Sequence, residues 1–484
     1  MAKQEAWPNI SPVLLPEQLK LFAKNHTKTH DSKVSVSEIV ENSAQFPIEF
    51  PIETVKCEYL RTKGIPIVTL ANNANSAYPI LHEAALPLFL HFLQHKKRFG
   101  SKVERTFYKH FTVEELIDRF LRKRAVVFYG RSDTFMLMDN MGRVGQWEVI
   151  GTSQEKAPQI LENCLSYDEI KLAALLSVSS FSCFINNGAR DNIGRYSNNE
   201  DSVEPTGVII GLIGPRFEKP FVMEHRDIIV SREQNTHERG YGRFFAPTLQ
   251  GIFLNFYGEP CLSYQELTTQ LDDRKKYKKL SSDKYFNNYA YTKRLSLSFD
   301  TLLVEANQRA KELNQMAFVH VVGIGLGVWR ASRHQDAVFM KSFSRRIRFL
   351  SSTLTNIANI CFAHINQPCG KYEDKQRVPI PNHPLGGIKI HIENRNPHDK
   401  LTGEDAGKLL VVSYAWDGNA LPGNEFWLGQ LAASGDPAAA ASTQIAELHN
   451  AHINPNVSAA NLRIATLNGV EKFHDYIRRA TSPE

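Results

Sequence analysis

The sequence predicts an α/β protein whose sheet is largely parallel and covered on both faces. Three observations predict it. Unbroken apolar runs such as TGVIIGLIG (206–214), AFVHVVGIGLG (317–327) and KLLVVSYAWD (408–417) have the pattern of strands buried on both sides. Stretches with helical spacing, such as SFDTLLVEANQRAKELNQ (298–315), fall between them. Glycine-rich turns follow several strands, and ligands of such sheets bind at the strand ends.

Composition sets the bounds. The 484 residues are 42% hydrophobic and 22% charged, the profile of an ordinary soluble globular chain with at least one large core. Lys and Arg (57) exceed Asp and Glu (51) by only six charges, too few to imply nucleic acid. The basic runs HKKRFGSK (95–102), LRKR (121–124) and DDRKKYKK (272–279) read as solvated faces that an anionic partner or membrane surface can meet. Six scattered cysteines show no CxxC and no zinc spacing, which suits free thiols in a reducing compartment. No run of ~18 apolar residues is present, so no transmembrane helix is expected. The stretch MAKQEAWPNISPVLLPEQ has no apolar core of signal-peptide type.

The elements follow in order. Residues 1 to 50 are mixed and punctuated by proline. SAYPILHEAALPLFLHFLQHK (76–96) has helical spacing. TVEELIDRFLRKR (112–124) opens with a capping box, Thr112 and Glu115, and a strand AVVFYG (125–130) with a hairpin follows. Residues 1–165 thus read as a helix-rich N-terminal extension, and 166–484 as the main α/β domain. In the second region SYDEIKLAALLSVSS (166–180) is helical by period, and FSCFINNG (181–188) is a strand entering a turn. HRDIIVS (225–231) is a short strand. After the strand at 317–327, KSFSRRIRFLSSTLTNIA (341–358) is helical, and ICFAHIN (360–366) and GIKIHIEN (387–394) are strands.

Four places carry chemistry. HVVGIGLGVWR (320–330) ends a strand in Gly323, Gly325 and Gly327, where successive amides can cradle a phosphate. Neither the GxGxxG nor the P-loop fingerprint is met, so a plain strand-to-helix turn is the competing reading. Asn186, Asn187 and Gly188 end another strand; they can hold sugar hydroxyls or simply form a turn. GPRFEKPFVMEHRDIIVSREQNTHERGYG (214–242) is a polar loop in which Glu233, Gln234 and Asn235 stand out. VVSYAWDGNALPGNEFWLGQLAASGDPAAAA (411–441) holds Trp416, Trp427 and three acids. Each acid has a local role: Asp417 in a turn, Glu425 in a helix start capped by Asn424, and Asp436 as an N-cap before Pro437. Together they are placed to orient a water and stabilise a cation.

The segments 214–242, FVHVVGIGLGVW and 411–440, in this order, resemble a family of macrodomain-like ADP-ribosyl hydrolases typified by the Legionella effector MavL and distantly akin to poly(ADP-ribose) glycohydrolase. The resemblance spans roughly residues 170 to 460. It implies a three-layer α/β/α macrodomain with a mixed, mostly parallel sheet. It implies ADP-ribose binding by Gly323, Gly325, Gly327, Val328 and Trp329, with Asn187 at the distal ribose. The usual Asn-Ala-Ala-Asn and triple-glycine pattern of the distal-ribose loop is missing; the paired glutamates that follow a glycine run in poly(ADP-ribose) glycohydrolase are missing too, which speaks against cleavage of poly(ADP-ribose).

The resemblance also implies Asp417, Glu425 and Asp436 as catalytic, releasing ADP-ribose from an arginine of a modified protein. Carboxylates suit that reaction, because breaking an N-glycosidic bond builds positive charge on the anomeric carbon. No cofactor or metal is required, although clustered oxygen ligands suit Mg²⁺. The expected setting is a soluble bacterial effector, exported without a cleaved signal peptide into a host cytoplasm, with the N-terminal region recognising the substrate protein. The alternatives are a non-catalytic ADP-ribose reader and a metal-dependent nucleotide phosphoesterase.

Overall fold

Ten strands form the main sheet of the computed structural model, which describes residues 33–199, 201–243 and 248–481. They are β1 (Tyr78–His82), β2 (Leu176–Cys183), β3 (Thr206–Ile213), β4 (Ala317–Val321), β5 (Ile357–Phe362), β6 (Arg377–Pro379), β7 (Gly387–Ile392), β8 (Leu409–Trp416), β9 (Arg463–Thr466) and β10 (Gly469–Lys472). Their spatial order is β6-β7-β5-β4-β8-β3-β2-β1-β9-β10. The central block β7, β5, β4, β8 and β3 is parallel throughout. β1 and β9 run the same way, while β6, β2 and β10 run opposite. The sheet is therefore mixed and mostly parallel. β4 and β5 are buried along their whole length, which is why their sequences are unbroken apolar runs. The reading of the first 18 residues lies outside the described part of the chain.

Two helix readings shift. The helical spacing from residue 76 begins in earnest only with α1 (Leu86–Phe99), because Tyr78–His82 is a fully buried strand inserted between β2 and β9. A strand buried on both faces has no period to distinguish it from a helix. α2 (Val113–Arg122) carries the expected Thr112/Glu115 capping box. α3 (Tyr167–Ala173) stops early, and the Ser/Val run after it becomes β2, paired antiparallel to β3.

α4 (Asn288–Glu312) begins ten residues before the expected 298 and lies buried against the sheet. It carries charges inward, each matched. Arg309 meets Glu305 at 2.7 Å, and Arg294 meets Glu224 at 3.1 Å. Asp300 takes a bidentate pair from Arg346 (2.7 and 2.8 Å) on α5 (Gln335–Phe349). Arg294 also donates to the carbonyl of Ile213 at 2.9 Å, so it fixes the last residue of β3. The terminal strand residues are the platform of the site.

The boundary at 165 does not divide the packing. β1 is an interior strand of the sheet, and one hydrophobic cluster runs from Val34 to Ile477. The N-terminal basic runs are also not simply solvated. Lys96 is buried on Glu104 and Asp168, and Arg124 beneath the strand end described next; Arg119, just before the second run, is buried on Glu169.

Candidate active site

Three neighbouring parallel strands, β4, β8 and β3, open at one edge of the sheet. β8, in the middle, delivers Asp417. β4, on one side, delivers the glycine turn. β3, on the other, delivers Gly214, Pro215 and Arg216. The two flanks touch. A Cβ on Gly214 would lie 2.3 Å from the Gly325 nitrogen, so only glycine lets the β3 exit approach the turn this closely.

The glycine turn has the shape of an anion cradle. Gly325 adopts φ +73°, a left-handed conformation natural to glycine. The amides of Ile324, Leu326 and Arg330 close the turn onto Val322, Gly323 and Gly327. Among the described residues, the N–H groups of Gly325, Gly327 and Val328 donate to no protein acceptor. A Cβ at Gly327 would meet nothing within 4 Å, and Val328 is 80% exposed. Trp329 turns back: its carbonyl accepts from Phe217 N–H at 3.1 Å, and the Arg216 guanidinium stands 5.8 Å from its ring.

Asp417 is buried at the end of β8 and accepts the Asn419 N–H at 2.8 Å. Burial pushes its carboxyl up to about 6; Glu425 adds to the rise, and the Arg216 and Arg124 charges oppose it. Asp436 is the second residue of α6 (Gly435–Ala440) and accepts the Gly423 N–H at 2.8 Å through Oδ1. Its Oδ2 is buried without a hydrogen-bond partner. Burial holds Asp436 well above the usual carboxylate range, with Glu425 and Asp417 adding to it. Glu425 lies in a short 3-10 turn (Asn424–Leu428), half-buried, with Ser434 Oγ at 3.5 Å; burial also raises it. The three carboxylates therefore feel one another's charge, as a single acidic cluster does.

The expected caps differ in detail. Ser434, not Asp436, precedes α6, and Pro437 is its third residue. Asp436 is free of that role because it spans to Gly423. Asn424 caps nothing: it sits at φ +44° and pairs both ways with the Phe128 backbone, at 2.9 Å each. That pairing, with Ala125 N–H on Asn419 and Leu421 N–H on Ala125, stitches the N-terminal segment 125–128 to the acidic loop.

Asn187 is not brought to this site. Cys183 at the end of β2 pairs with Thr206, the first residue of β3, whereas the site lies beyond Ile213, the last. Eight strand residues at about 3.3 Å each put some 25 Å between the two edges. Asn187 instead forms a turn, accepting from Ala189 N–H (3.2 Å) and Asn192 Nδ2 (2.6 Å). Gln234 and Asn235 are structural: Gln234 bonds His225 and the Ile229 carbonyl, and Asn235 closes on Ser231, while Glu233 is exposed.

Three site residues escape the sequence reading. Arg124 belongs to a run that reads as solvated, yet burial pulls its guanidinium down to about 9, against the Asp417, Tyr414 and Asp436 charges. Its Nη2 donates to the Ala173 carbonyl at 3.0 Å, and Nε and Nη1 have no partner. Arg216 and Glu218 follow β3 directly; Arg216 Nη2 holds Glu218 at 2.9 Å, and the Glu218 charge reaches Glu425. Their signal was position, immediately after an apolar strand, rather than a motif. Among the described residues, no group of three or more His, Cys, Asp or Glu is arranged to hold a metal ion.

Fold and site together define an α/β protein with a buried acidic cluster beside an open glycine turn at the carboxyl edge of its parallel strands. The chain belongs to the MavL-like ADP-ribosylhydrolase family, whose model matches residues 37–479. It is similar to two Drosophila melanogaster proteins named ADP-ribosylarginine hydrolase. One is 44% identical over 466 residues, covering 93% of this chain and 89% of that protein. The other is 40% identical over 461 residues, covering 93% and 90%. Among the described residues no helix is long and apolar enough to cross a membrane.

Proposed function

We propose that the protein is an ADP-ribosylarginine hydrolase, releasing ADP-ribose from arginine of a modified protein, on a macrodomain-type α/β/α frame. One observation carries this reading. A buried carboxylate, pushed up to about 6, leaves the strand next to the one that ends in a turn with free amides, and its charge couples to a second pair of acids. The amides of Gly325, Gly327 and Val328 hold the diphosphate, with Trp329 beside them. Asp417 takes a proton from water as its oxygen bonds the anomeric carbon and the C–N bond breaks. The proton passes to the departing guanidine nitrogen. Asp436 and Glu425 stabilise the positive charge that develops on the sugar, and Glu425 accepts the guanidine N–H groups. A carboxyl poised near 6 is mostly ionised at neutral pH and still basic enough to accept a proton.

The test compares arginine-ADP-ribosylated with glutamate-ADP-ribosylated protein and follows free ADP-ribose. Release from the arginine conjugate alone is expected. Binding of ADP-ribose without release from either conjugate would leave a reader module instead.

A further inference from the structure

α5 carries basic residues on two sides. Arg346 points inward and is neutralised by Asp300. Lys341, Arg345 and Arg348 follow at spacings of four and three, one stripe of a helical surface, and all three are exposed. Lys371, from the loop after β5, faces them across a groove of about 510 Å³ that Ser344 and Gln367 also line. No Asp or Glu lines the groove. Among the described residues none of the four cations is ion-paired.

The groove is built rather than incidental. Gly370 adopts φ +69°, and a Cβ there would lie 2.5 Å from the Ser344 Oγ, so glycine lets the loop sit directly on the helix. Cys369 and Tyr372 exchange backbone hydrogen bonds (2.8 and 3.2 Å), which closes the turn that carries Lys371. The same loop reaches the site already described: the Ile365 side chain would be 3.3 Å from a Cβ at Gly323. That contact places the start of the loop, though not the groove itself, beside the glycine turn on the side away from β3.

Four like charges gathered without counter-ions call for an anionic partner. From Lys341 to Arg348 the stripe spans about 10 Å at 1.5 Å per residue. That is wider than one phosphate, and all four cations are long, exposed side chains rather than a buried amide nest. The spacing fits several carboxylates along a polypeptide. Resting on the hydrolase reading above, we propose that this groove docks an acidic segment of the modified protein substrate. The contact speeds encounter and holds the conjugated arginine at the site, with little effect on the chemical step.

The triple variant Lys341→Glu/Arg345→Glu/Arg348→Glu tests it, because these exposed side chains leave the core untouched. Steady-state rates are measured on an acidic arginine-ADP-ribosylated protein and on free ADP-ribosylarginine. The expected result is a roughly tenfold or larger loss of kcat/KM on the protein through KM, none on the free conjugate, and a wild-type advantage that fades with salt. Equal rates on the protein overturn the proposal, as does equal loss on both substrates. If inorganic pyrophosphate binds wild type but not the variant while protein turnover is the same in both, the groove is a phosphate site and the proposal falls. If wild type releases ADP-ribose from neither substrate, the hydrolase reading fails separately. A fluorescein-labelled oligoglutamate peptide then decides the groove alone: binding to wild type and not to the variant supports an acidic-segment site, and equal binding overturns it.

Discussion

The guanidinium of Arg124 lies over the ring of Trp416, 3.7 Å from its centre. Trp416 is the last residue of β8 and Asp417 the next, so this stack sets a buried cation beneath the acidic cluster. A desolvated positive charge close to a carboxylate favours its ionised form. The pair thus joins the N-terminal third of the chain to the chemistry at the far end of the sheet.

We expect kcat/KM to fall about tenfold per unit as pH drops below about 6, as the Asp417 carboxylate is protonated. Arg124→Met removes a charge that favours ionised Asp417, so this acidic limb moves to higher pH. Arg124→Lys keeps the charge and moves it less. Full pH–rate profiles check both; an unmoved limb in Arg124→Met removes the residue from the electrostatics of the site.

Asp417→Asn should lower turnover by at least about 10²-fold while ADP-ribose still binds, as single-turnover rates and calorimetry would show. The variant should also be more heat-stable at neutral pH. The folded carboxyl is raised to about 6 from 3.8, so the folded state binds the proton more tightly, and stability falls as pH rises through that window. Removing the ionised group recovers on the order of 2–3 kcal/mol at pH 7. A lower Tm at pH 7 counts against the burial described for this acid.

Gly214→Ala and Gly327→Ala should behave differently. The first drives a methyl into the Gly325 backbone, while the second places one where nothing lies within 4 Å. ADP-ribose affinity should drop sharply in Gly214→Ala, with a lower Tm, and change far less in Gly327→Ala. Titration of both variants with ADP-ribose decides it.

Arg294→Met leaves Glu224 buried without its partner and frees the Ile213 carbonyl. Loss of one member of a buried pair costs about 3–5 kcal/mol, so chemical denaturation should show a destabilisation of that size.

Asn187→Ala should leave hydrolysis within about twofold of wild type, at a local cost of roughly 1 kcal/mol for its turn hydrogen bonds. A large loss of turnover would require the distal sugar to reach the opposite edge of the sheet.

The central sheet was legible because strands buried on both faces must be apolar throughout, as β3, β4 and β8 are. The acids and the glycine turn were legible because they follow such strands directly. β1 was not, since its five buried residues run straight into a helix. Strand polarity was not legible either, and that misplaced Asn187: the sequence shows that a turn follows β2, but not that β2 runs against β3. Arg124 and Arg346 each sit in a basic run whose other members face solvent. Only the packing of Trp416 and Asp300 separates them from their neighbours.

The pairing of β1 with β9 has a consequence for how the chain is made. Ile80 sits in register with Arg463, and Ala125 is bonded to Asn419, so both the sheet and the acidic loop close only when late residues meet early ones. Contacts so distant in sequence form slowly. A nascent chain can pair β1 with β2 early, but the other edge of β1 stays open, and the acidic loop does not yet exist to be anchored, until residues 419 to 466 have been made, a long exposure to aggregation or to chaperones.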